Sequence, residues 1–181
     1  MTRKLLLALP VVLAACAQDP VTDYLGGFGD PVRGAAFYAP RNLSDTSRYA
    51  GDPAGAAIAA AQLEFLYRSF REDPIRAPQT NPSTVFALQE GVREMRAALG
   101  IAPDAPGVLV EQQLREAAQA LRAGSHARAE AALASPAFTA GPRATLARLA
   151  ALPRLPRVAE AAGAASQEIS RQDQGRLGIR L

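Results

Sequence analysis

The chain has 181 residues, 49% of them apolar, with 14 glycines, 14 prolines, one cysteine and one histidine. Its 20 basic and 17 acidic side chains leave a formal net charge of +3. One cysteine and one histidine leave no ligand set for zinc or other nitrogen–sulfur metal sites and no internal disulfide, so no metal or other cofactor is expected.

The first residues carry a recognisable address. Arg3 and Lys4 form a basic start, and Leu5 to Ala15 is an apolar run of 11 residues. That is the secretory signal pattern. The run is too short to span a bilayer, which takes roughly 20 apolar residues, and Pro10 interrupts it. It ends in Leu13-Ala14-Ala15-Cys16. An aliphatic residue, two small residues and a cysteine in that order resemble the lipobox of bacterial lipoproteins. The resemblance covers about the first 16 residues and implies no fold. It implies cleavage between Ala15 and Cys16 and acylation of Cys16, which anchors the mature chain to a membrane. Several acyl chains on one residue meet the requirement that stable anchoring takes more than one chain. An ordinary signal-peptidase cut after Ala17 is the competing reading. Among proteobacterial lipoproteins an aspartate after the cysteine retains the protein at the inner membrane. Ala17 here implies the periplasmic leaflet of the outer membrane.

Removing residues 1–15 takes away the sole lysine and leaves 18 arginines against 17 acids, an almost neutral body of one domain's length. Residues 16–52 read as a lipidated tether and an irregular strap. Gly26, Gly27, Gly29, Pro31, Gly34, Pro40, Gly51 and Pro53 break helical runs, while Tyr24, Phe28, Phe37, Tyr38 and Tyr49 suggest packing on a body. Leu25-Gly26-Gly27-Phe28-Gly29-Asp30 lacks the strand, spacing and lysine of a phosphate loop.

A helical domain is expected over 53–171. The spacing predicts a first helix at 54–72, with Leu63, Leu66, Tyr67 and Phe70 on one arc and Glu64, Arg68 and Arg71 on a polar stripe, Glu64 and Arg68 forming an i, i+4 pair. Asp73-Pro74 stops it. Asn81-Pro82 starts the next helix and Gly100 caps it, with Val85, Leu88, Val92, Met95 and Leu99 inward and Glu90, Arg93, Glu94 and Arg96 solvated. A third helix is expected at 106–123, built on Val110, Leu114, Ala117, Ala118 and Leu121. Ser125 caps a short helix to about 134, Gly141-Pro142 opens another, and Pro156 starts a last one to about Arg171, followed by a flexible tail at 172–181. Residues 114–136 hint at a tetratricopeptide-type hairpin, but Glu116 and Pro136 do not fit it and no second copy follows at that period, so the segment reads as an ordinary αα-hairpin. No segment alternates apolar and polar residues as a strand does. The reading is all-α, an irregular bundle of five to six helices preceded by an extended strap, with the aliphatic residues of the first three helices carrying the core.

No constellation of catalytic residues stands out. His126 has no identifiable nucleophile or orienting acid, and Ser125 is explained as its helix cap. Glu90/Glu94 and Glu111/Glu116 are candidate carboxylate pairs, the first alternating with arginines as a solvated face does. Residues 141–181 carry 7 arginines against 3 acids, and Arg143, Arg148, Arg154 and Arg157 are possible contacts to an anionic surface. The expectation is a lipid-anchored envelope protein acting as a non-enzymatic interaction or structural module. The alternatives are a small carboxylate hydrolase near peptidoglycan and a helical module binding peptide or lipid. The partners expected are the membrane, through Cys16, and an envelope protein, not nucleic acid.

Overall fold

The computed structural model describes residues 30–178, with side chains described up to 175. Within them the chain forms seven α-helices, α1 (Pro31–Leu43), α2 (Pro53–Glu72), α3 (Pro82–Leu99), α4 (Gly107–Arg122), α5 (His126–Ala132), α6 (Pro142–Ala150) and α7 (Pro156–Gly178), with short 3-10 turns at Thr46–Tyr49 and Ala77–Gln79. No strand occurs among the described residues. Among the described residues the fold is all-α, with seven helices rather than five to six.

The extra helix is α1, where an irregular strap was expected. Asp30 is its N-cap and accepts from the N–H groups of Val32 and Arg33, while Pro31 takes the first-turn position that needs no donor. Gly34 and Pro40 are tolerated because the helix is held from outside. Ala35, Ala36, Ala39 and Leu43 are fully buried, and Gln62 of α2 donates to the Ala35 carbonyl at 2.7 Å. α7 likewise continues past Arg171 into the expected tail, with Gln172 buried.

Local signals set the other boundaries. Asn81 caps α3 through the Ser83 N–H, Gly100 ends it in the left-handed region at φ 75°, and Ser125 caps α5 through the Arg128 N–H. α2 packs along α4, and α3 and α1 pack along α7. Leu63, Leu66 and Phe70 of α2 are fully buried, as are Leu88, Leu99 and Leu114. Leu43, Leu133, Leu149 and Val158 join them, so the core draws on more than the three expected helices. The α3–α7 seam is tight. A Cβ on Gly91 would lie 2.7 Å from the Ala161 Cβ and 3.1 Å from the Arg157 carbonyl oxygen. Glu94, expected in solvent, reaches across this seam and accepts from the Val158 N–H in the first turn of α7 at 3.0 Å.

Polar locks hold the two ends of the bundle. At one end, buried Arg76 in the α2–α3 connection bonds Asp30, the α1 cap, and Gln172 of α7. Glu168, 3% exposed, accepts from Arg171, Gln172 and the Asn81 N–H. At the other end, buried Thr46 donates to the Pro153 carbonyl at 2.5 Å and accepts from the Leu155 N–H at 3.1 Å, fixing the 3-10 turn to the α6–α7 link.

Burial pushes the Glu168 carboxyl up, but the hydrogen bonds from Arg171 and Gln172, the Arg171 charge and the Asn81 N–H outweigh it and hold it below its ordinary value of 4.5. Its contribution to stability is therefore present above that value and is lost as the pH falls through the lower folded one. Glu168→Gln is expected to lower stability near neutrality and to flatten the acid limb, read as urea midpoints between about pH 3 and pH 7.

Candidate functional site

A cleft of about 650 Å³ opens between the C-terminal half of α2, the middle of α3 and the loop 103–107 that leads into α4. That is within the ~300–1,000 Å³ typical of ligand sites. A smaller recess of about 370 Å³ along α4 shares Arg68 and Val108 with it. The cleft lies among the three helices expected to form the core, and its walls are charged.

Its floor is an ion pair. Arg96 of α3 binds Glu64 of α2 in bidentate fashion, Nε to Oε1 at 2.7 Å and Nη2 to Oε2 at 2.8 Å. The remaining nitrogen, Nη1, donates to the Pro103 and Ala105 carbonyls, both at 2.9 Å, so one guanidinium joins two helices and closes the α3–α4 loop. The pair is nearly inaccessible, Glu64 at 4% and Arg96 at 7%. Gly107 begins α4 directly against it, and a Cβ there would stand 3.2 Å from Glu64 Oε2.

This corrects two expectations. Glu64 does not pair with Arg68 along its own helix, and Arg96 is not on the solvated face. Arg68 instead reaches Glu111 of α4 at 3.0 Å, and Arg115 holds the other oxygen of Glu111 at 2.5 Å. Glu111 is buried, and that burial pushes its carboxyl above the ordinary value against the pull of Arg68, with the Glu64 charge adding to the rise. The sequence did hold a signal for Arg96. It lies four residues after Val92 and three before Leu99, on the buried arc of α3.

The upper walls hold two exposed arginines. Arg71 of α2 stacks on Tyr67, its guanidinium carbon 5.5 Å from the ring centroid, and donates to the Tyr67 hydroxyl at 2.8 Å. Its nearest carboxylate, Glu72, is 4.0 Å away. Arg93 of α3 pairs with Glu90 at 2.8 Å, its own side chain 62% exposed.

Cys16 and Ala15 lie outside the described residues. Arg143, Arg148, Arg154 and Arg157 are exposed and stand apart from the cleft, on α6, the α6–α7 link and the start of α7. Arg143 meets Glu130 at 3.4 Å and Arg157 meets Glu160 at 2.8 Å. The Arg148 guanidinium covers Gly100 at the end of α3. Arg154 lies close enough to Asp45 to help hold its carboxyl down, after the larger effect of the Ser47 hydroxyl. His126 is exposed. The proposed carboxylate pairs have separate partners. Glu90 binds Arg93, Glu94 caps α7, Glu116 accepts from Gln112 at 2.8 Å, and Glu111 sits in its arginine clamp.

Arg96→Ala removes one partner of a buried pair and frees the 102–105 carbonyls. A loss of about 3–5 kcal/mol is expected in urea unfolding, with faster amide exchange in the 101–107 loop. No family model matches the chain, and comparison with curated proteins and with solved structures returns no match.

Proposed function

We propose that this chain is an exported, lipid-anchored helical module of the cell envelope that works by binding. In this reading the signal is cut between Ala15 and Cys16, Cys16 carries the acyl chains, and the body sits at the periplasmic leaflet of the outer membrane. The observation that carries it is Leu13-Ala14-Ala15-Cys16 closing an apolar run behind Arg3 and Lys4. No helix among the described residues is long and apolar enough to cross a membrane.

A binding role is supported by the two buried acids at the cleft, Glu64 and Glu111. A carboxylate hydrolase needs an acid and a base or nucleophile free to meet the substrate on its two faces. Both oxygens of Glu64 are taken by Arg96, and both oxygens of Glu111 by Arg68 and Arg115. These contacts hold helices together and occupy the oxygens of both acids. The exposed Arg143, Arg148, Arg154 and Arg157 are available for an acidic envelope partner.

Expression with labelled palmitate tests the anchor. The wild-type chain is expected to take up label and sediment with membranes, and Cys16→Ser to do neither. Label retained on Cys16→Ser would overturn the lipobox reading.

A further inference from the structure

We propose that the cleft between α2, α3 and the 103–107 loop binds a small molecule bearing a carboxylate or phosphate, gripped between Arg71 and Arg93. The inference rests on the binding role above but not on the lipid anchor.

The arginines of the cleft are not equivalent. Arg96 spends its donors on Glu64 and three loop carbonyls, and Arg68 is drawn to Glu111. Arg71 differs because what orients it is uncharged. The ring and hydroxyl of Tyr67 fix its position, and its nearest acid stands at the 4.0 Å limit of an ion pair with both side chains more than half exposed. Such a pair contributes little. A guanidinium has five donors, so Arg71 keeps a charge and a fork of N–H groups available to a planar or tetrahedral anion. Arg93 brings a second, largely exposed guanidinium from α3, with Glu90 on one edge.

The other groups of the cleft fit a compact ligand. Val92 and Val108 offer apolar surface to its body. The Glu64 charge is paired with Arg96, which offsets much of its repulsion of an anion. Glu72 and Asp104 also line the cleft, but both are exposed, where water and salt screen them. An ordered tyrosine–arginine pair reduces the conformational entropy lost when a ligand is gripped.

The test is isothermal titration of the full mature chain in detergent with phenyl phosphate, benzoate and phenol. One-site binding of phenyl phosphate or benzoate is expected, with no saturation by phenol, and the tighter anion identifies the head group. Arg71→Gln and Arg93→Gln should each weaken that binding about tenfold or more, while Arg41→Gln, at an exposed position of α1 that does not line the cleft, should leave it unchanged. Circular dichroism checks that each variant is folded. The proposal is overturned if neither anion saturates, if phenol binds as well, or if Arg41→Gln weakens binding as much as the cleft variants. Those outcomes leave the palmitate result untouched, so the two readings fail separately.

Discussion

Close approach of helix backbones is the constraint on which this bundle depends. Along α7, Ala161, Ala162 and Ala165 are fully buried, and Gly91 of α3 has no room for a methyl group. Seams of this kind bring helices together but bury little apolar area per residue, at about 25 cal/mol per Å². The large side chains must therefore be placed elsewhere. Leu63, Leu66 and Phe70 put them on α2, which contacts α1, α3, α4 and α6. An alanine seam on one side and a leucine-rich central helix on the other are two halves of one solution.

Smooth alanine faces are weak at specifying register, since one small residue resembles the next. Buried polar groups supply what the seams lack. Gln62 is fully buried, bonding the Ala35 carbonyl on one side and Asn42 on the other, and so it sets α1 against α2. Arg96, Arg76 and Thr46 each join segments distant in sequence. A buried ion pair is poor evidence of net stability, because desolvation offsets much of the attraction. Its effect here is geometric. If α3 slipped by one residue along α2, Arg96 would be drawn off Glu64, and two buried charges would be left unpaired.

Much of this order was legible where the cause is local. Asn81-Pro82 and Gly100 bound α3 because capping depends on a few adjacent residues. Reading failed where distant contacts override local preference. Gly34 and Pro40 look like helix breakers, yet α1 forms because burial of its alanines and the Gln62 bond outweigh them. The cleft was hidden for the same reason. Glu64 and Arg68 stand one turn apart and look like partners, but each finds a better one on another helix. Arg71 gave no signal beyond its place on a polar stripe, since its stacking on Tyr67 resembles any i, i+4 surface contact until the opposite wall is in place.

The Asp30–Arg76 contact also settles how force would enter the molecule. A pull applied at Asp30, the N-cap of α1, meets at once its ties to the α2–α3 connection and, through Arg76 and Gln172, to α7. The load is shared among three elements at the point of entry. Beyond it, α1 lies along α7 and against α2. The cleft walls belong to α2, α3 and the loop before α4. Arg76 sits in the connection between two of those walls, so a load arriving at Asp30 is handed on to the segment that joins them.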